Sequence, residues 1–188
     1  GLKNITIPES VYKISEQAFF GCSGLTSIII PNSVFILGNG VFENCSSLTT
    51  AILPESITRI PYCMFQNCKK LSSITIPDNI TNISSSTFEN CKNLEGVSIP
   101  RSTTRIGKSA FKGCDQLKGV KLPNSVTSIG KSAFEGCKSL DRIWIPYSIT
   151  SIEKNTFKDC ENLKDISIPG SVTSIEENAY EGCTSLRR

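Results

Sequence analysis

The sequence predicts a solenoid of stacked coils, in which each coil adds one short strand to a parallel sheet. Three observations carry that expectation. Prolines fall at Pro8, Pro31, Pro54, Pro77, Pro100, Pro123, Pro146 and Pro169, always 23 residues apart. Cysteines fall at Cys22, Cys45, Cys68, Cys91, Cys114, Cys137, Cys160 and Cys183, with the same spacing. Before each proline, apolar residues alternate at period two, which is the pattern of a half-buried strand. A fixed period of this length marks a repeat architecture. Only Pro61 and Cys63 stand outside the two columns, so eight units fill residues 1–188 as a single array. The chain opens and closes inside a unit, which predicts a piece cut from a longer array.

Each unit opens on a leucine: Leu2, Leu25, Leu48, Leu71, Leu94, Leu117, Leu140 and Leu163, with Leu186 starting a ninth. Two inward strand columns follow, one through Ile28, Ala51 and Val120, the other through Ile30, Leu53 and Leu122. Proline then ends the strand, because it has no N–H to give to a sheet ladder. Past it, the columns of Val34 and Leu37 predict a second extended piece on the opposite wall. The small column of Ala18, Ala110 and Ala133, with the aromatic column from Phe19 to Tyr180, is expected to form short helical turns there. Gly21, Asn44, Asn67, Asn90, Gly113, Gly136, Asp159 and Gly182 close the unit. Gly and Asn tolerate positive φ, so this position is a turn. A lone unit cannot bury so many apolar side chains. Stacked units can, because each column packs on its own continuation about 4.8 Å away.

Written out, the unit reads L-x-x-I-x-I-P-x-S-V-x-x-I-x-x-x-A-F-x-x-C-x-x. Its first part resembles the leucine-rich repeat core L-x-x-L-x-L. The whole unit resembles the 23-residue repeat of BspA-like leucine-rich repeat proteins, over the entire chain. The resemblance implies a leucine-rich repeat solenoid: a right-handed superhelix with its parallel β-sheet on the concave face and short extended segments and helical turns on the convex side. It also implies a non-enzymatic protein-binding module. Members of that family are often cell-surface or secreted microbial proteins associated with cell adhesion or matrix interaction. Where common leucine-rich repeats carry an asparagine ladder, this chain has Ser10, Ser33, Ser56, Asn79, Ser102, Ser125, Ser148 and Ser171. A hydroxyl bonds turn backbone as an amide does, more weakly.

Several function classes find no footing. The net charge of +3 is too small to imply a nucleic-acid partner. No apolar run is long enough to span a membrane. The chain has no His, which removes Ser-His and Cys-His nucleophile arrangements. Asp and Glu scatter over solvent columns without a converging pair. There is no His and no C-x-x-C spacing to hold zinc, and no cofactor motif; Gly38 to Gly40 follow no strand-to-helix turn and make no phosphate loop. The cysteine column reads as small buried hydrophobes. Cys63 is either an exposed reactive thiol or a replacement for a serine. Asn4, Asn44, Asn79 and Asn82 head glycosylation sequons, which matter only in a eukaryotic secretory setting.

What remains is surface. The outward strand positions are the natural platform of a solenoid. Most are small and polar, with two exceptions. Arg142, Trp144 and Tyr147 cluster in one unit beside Lys121, and Ile29 and Ile52 are adjacent and apolar. Trp, Tyr and Arg dominate interface hot spots, so the first group is the leading candidate ligand site and the second its reserve. Between Arg101 and Arg142 stand nine basic and three acidic residues. The expected partner is a protein, an extracellular-matrix or cell-surface one if the chain works outside the cell. The alternative is a cytoplasmic scaffold using the same face. The end units carry the same apolar columns as the middle, so Ile5, Ile7 and Leu186 predict end-to-end self-association.

Overall fold

The computed structural model describes residues 1–187. The chain winds into coils that lay strands on two walls. One wall carries three-residue strands: β2 (Ser27–Ile29), β4 (Thr50–Ile52), β6 (Ser73–Thr75), β8 (Gly96–Ser98), β10 (Gly119–Lys121), β12 (Arg142–Trp144) and β14 (Asp165–Ser167). The other carries two-residue strands: β1 (Lys13–Ile14), β3 (Ile36–Leu37), β5 (Arg59–Ile60), β7 (Asn82–Ile83), β9 (Arg105–Ile106), β11 (Ser128–Ile129), β13 (Ser151–Ile152) and β15 (Ser174–Ile175). Every pairing is parallel and in register with the 23-residue period, as in Ile28 on Ala51 and Val120 on Ile143. Residues 4–6, the strand position of the first unit, form no strand. They have a neighbouring coil on one side only.

Each wall is a broken ladder. The long-strand wall divides into β2-β4-β6 and β14-β12-β10-β8, with no strand pairing from β6 to β8. The short-strand wall divides into β1-β3, β11-β9-β7-β5 and β13-β15. Pro61 explains the gap between β3 and β5. In the equivalent position Gly38, Ser84, Gly107 and Gly130 donate their N–H to Ile14, Ile60, Ile83 and Ile106 at 2.8 to 3.2 Å. Pro61 has no N–H to offer Leu37.

Between the walls lies the core. Leu25, Leu48, Leu71, Leu94, Leu117, Leu140 and Leu163 are fully buried. So are Phe42, Phe65, Phe88, Phe111, Phe134 and Phe157. The aromatic column stacks continuously from Phe19 to Tyr180, with ring centroids 5.3 to 5.8 Å apart. The cysteines line the same core. All nine are free thiols, and those from Cys45 to Cys160 in the column are buried. From Cys45 to Cys183, each thiol of the column donates to the carbonyl of the aromatic residue one coil back, as Cys68 does to Phe42 and Cys137 to Phe111, at 3.1 and 3.2 Å. That carbonyl also accepts the N–H of its own coil's cysteine, so both lone pairs are used. Burial pushes the column's thiols from Cys45 to Cys160 well above their ordinary range, the Cys45 thiol up to about 11.

The expected helical turns on the convex side do not form. Among the described residues the aromatic segments are hydrogen-bonded turns, not helices. Two left-handed residues bracket each one. The first column is Gln17, Gly40, Cys63, Ser86, Ser109, Ser132, Asn155 and Asn178; the second is the Gly/Asn/Asp turn anticipated from sequence. Only three residues lie between them, too few for a helical turn. The aromatic N–H in the middle faces the next coil instead: Phe42 donates to Met64, Phe65 to Thr87 and Phe111 to Ala133, at 2.8 to 3.0 Å. Coil-to-coil bonding thus consumes the donors that a helix would need.

The serine column is structural. Ser33, Ser102, Ser125 and Ser171 donate to the carbonyls of Val11, Ile80, Thr103 and Ile149 one coil back. At Asn79 the side-chain amide donates to Glu55 instead, and Asn44 accepts from Asn67 in a short amide ladder that runs on to Asn90. Cys63 is half-buried in a left-handed position shared with Ser86, Ser109 and Ser132, so it stands in for a serine. Burial, with Glu43 and Glu89 nearby, raises its thiol above the ordinary value, which disfavours the reactive thiolate.

Candidate functional site

The long-strand wall displays its outward residues through simple alternation. In β12 the middle residue, Ile143, is buried while Arg142 and Trp144 face out. In β10 Val120 is buried while Gly119 and Lys121 face out. Trp144 is 56% exposed, and Tyr147, just past Pro146, is 79% exposed. The register of Val120 on Ile143 and Gly119 on Arg142 sets Lys121 beside Trp144 on the neighbouring strand. Ile29 and Ile52 face each other in register on β2 and β4, 63% and 53% exposed.

The six residues do not share one hollow. Lys121 lines an open groove of about 980 Å³ with Arg101, Ser98, Asn124, Ser125 and Asp78. Arg142 and Trp144 line a separate hollow of about 300 Å³ with Lys164, Asp165 and Ser167. Tyr147 lines neither. Ile29 and Ile52 floor a third, shallow one of about 370 Å³, on the far side of the break between β6 and β8. The candidate surface is therefore a strip with a cationic groove at β8–β10 and an aromatic hollow at β12–β14.

The charge around this strip follows a rule and departs from it. Lys112, Lys138, Lys154 and Lys158 each meet a carboxylate 23 residues along, on the next coil: Glu135, Glu161, Glu177 and Glu181, at 2.6 to 3.1 Å. Lys92 reaches Asp115 in the same direction, and Lys118 pairs backward with Glu95. Arg142 lies 3.7 Å from its chain neighbour Asp141. Among the described residues, Arg101 and Lys121 have no ion-pair partner, and neither have Arg59, Arg105, Lys108, Lys131 and Lys164. Exposed cross-coil pairs of this kind contribute little each to stability.

A second feature escaped the sequence reading. Tyr12 and Phe35 stack on the short-strand wall, with centroids 5.7 Å apart, and Ile36 stands exposed beside them. Their column is otherwise threonine, from Thr58 to Thr173. Two aromatics breaking a threonine column was the available signal. Among the described residues no group of His, Cys, Asp and Glu is placed to hold a metal ion. No helix there is long and apolar enough to cross a membrane.

Comparison with known proteins places this architecture. The model of the BspA type leucine-rich repeat region, in six copies, matches residues 1–118 and 82–188. The chain belongs to the BspA-type leucine-rich repeat family. No curated protein matches it. Among solved structures, a leucine-rich repeat protein of T. pallidum is similar, with 30% identity and a TM-score of 0.72, over 94% of this chain and 72% of that one. A leucine-rich repeat protein from Eubacterium ventriosum shares the fold at 21% identity and a TM-score of 0.60, over 100% of this chain and 72% of that one. The pneumococcal vaccine antigen PcpA shares it at 20% identity and a TM-score of 0.59, over 95% and 58% of the two chains. Leucine-rich repeat proteins are generally protein-interaction modules.

Proposed function

We propose that this BspA-type array is a protein-binding module that captures its partner on the long-strand wall, around Lys121, Arg142, Trp144 and Tyr147, and serves adhesion at a cell surface. One observation carries the reading: Trp144 stands more than half exposed on a strand whose neighbours on both sides are hydrogen-bonded. A large aromatic held on a rigid sheet loses little conformational freedom when it is covered, and Arg142 beside it adds a planar donor for carboxylates or main chain. The BspA-type repeat supports the surface placement.

The test is binding to immobilised collagen and fibronectin, measured for the parent and for Trp144→Ala. Loss of binding at an unchanged melting temperature supports the reading. Full retention by the variant moves the site to Ile29 and Ile52. A second reading, a cytoplasmic scaffold that uses the same wall, is favoured by the nine free thiols, which suit a reducing compartment. The full-length gene separates the two, since a signal peptide or surface anchor selects the first.

A further inference from the structure

Building on the wall reading above, we propose that the groove between Arg101 and Lys121 seats an extended acidic segment of the protein partner, which runs on to Trp144. Arg101 and Lys121 are exposed and unpaired, as are Arg59, Arg105, Lys108 and Lys131, but these two line one groove together. Asp78 borders the same groove on the coil before Arg101 and forms no ion pair with it. The groove thus holds two cations against one carboxylate, a net positive charge that favours an acidic occupant. A guanidinium fork takes a carboxylate through two parallel hydrogen bonds. Ser98, Asn124 and Ser125 supply hydroxyl and amide groups of the kind that pair with a peptide main chain.

The wall beside the groove is bare. Gly96 and Gly119 lie side by side in register on β8 and β10. A Cβ added at either would meet nothing within 4 Å, and neither has a positive φ. Packing and backbone conformation therefore do not demand glycine at these two positions, although glycine weakens a strand interior. Their effect is to let another main chain approach the sheet closely, next to Lys121. From there Trp144 is one strand away, where it can cover an apolar or aromatic side chain of the same segment.

The experiment titrates the protein with fluorescein-labelled decaglutamate, decalysine and a Gly/Ser decamer. Anisotropy is read alongside the emission of Trp144, the single tryptophan. The expected result is binding of decaglutamate only, weakening as salt rises. Arg101→Glu combined with Lys121→Glu should reduce it at least tenfold. Gly119→Thr, which places a strand-favouring side chain on the bare strip, should also reduce it at least tenfold while the melting temperature holds or rises. Decaglutamate binding no better than decalysine, or binding unchanged in the charge-reversed variant, overturns the proposal. Equal displacement by a heparin octasaccharide assigns the groove to polyanions at large and overturns the peptide assignment. The placement of the docking site around Trp144 fails on a different result, collagen or fibronectin binding that survives Trp144→Ala, so the two can fall separately.

Discussion

Phe134 sits between the rings of Phe111 and Phe157, at 5.4 and 5.8 Å, with no exposed surface. Truncating it opens a cavity that neighbouring coils cannot fill without leaving register. Phe134→Ala should cost about 3–5 kcal/mol in urea-induced unfolding. Trp144→Ala should instead leave stability within about 0.5 kcal/mol, because the side chain faces solvent. It should weaken partner binding by about 2 kcal/mol if the wall is the docking face. Unfolding of the array by Trp144→Ala would contradict the observed exposure. At this scale the sequence was informative wherever a column repeats one chemical type. The inward face of Phe134 followed from its repeated column, and the inward face of Ile143 and outward face of Trp144 from strand alternation. The thiol bonds to the aromatic carbonyls did not. They depend on where a coil's backbone lies relative to the next coil, and residue spacing alone carries no such distance.

The strands depend on donors as much as on side chains, and Pro61 shows the dependence. Pro61→Ser would supply the missing N–H to Leu37 and join β3 to β5. The new bond is worth about 0.5–1.5 kcal/mol. Loss of proline's rigidity in the unfolded chain takes back about 0.4–1 kcal/mol. Net stability should therefore stay within about 1 kcal/mol of the parent, while the backbone amide gained at that position becomes protected in hydrogen exchange. Free exchange of that amide would refute the explanation of the gap. The long strands were legible because their alternation ends on a proline in every unit. The turns were only half legible. Gly21 and Asn44 announce a left-handed turn by residue type, whereas Gln17, Ser86 and Ser109 hold equally left-handed positions with ordinary side chains. Missing that second column is why helical turns were expected where coil-to-coil bonding prevails.

Across the whole molecule, the buried thiols act together. Cys68, Cys91, Cys114, Cys137 and Cys160 are all raised above the ordinary value of 9.0, chiefly by burial. The unfolded chain releases these protons near pH 9 and the folded chain holds them. Their contribution is fully present below that pH and is lost as pH climbs toward the folded values. The loss per thiol is about 1.4 kcal/mol one pH unit above the unfolded value. Between pH 9 and 10 the array should therefore lose several kcal/mol, seen as a steep fall in its urea midpoint. Replacing Cys91 and Cys114 with Ala should make that fall shallower, even though the variant is less stable at pH 7. An unchanged slope would show that the thiols do not govern it.

Because every bond between coils links positions one period apart or within a few residues of it, the array behaves like a ruler with a single graduation. Its length can change only in whole graduations. Excising Leu71 to Asn93 joins Lys70 to Leu94 and leaves every remaining residue in its own column, one coil shorter. Excising one residue fewer slides the whole downstream half past the upstream half by one place, so that Phe meets Ala, Cys meets turn, and lysines lose their carboxylates together. The first deletion should melt cooperatively, and the second should yield a folded half with an unravelled remainder. A chain built this way is indifferent to how many coils it has and intolerant of any fraction of one.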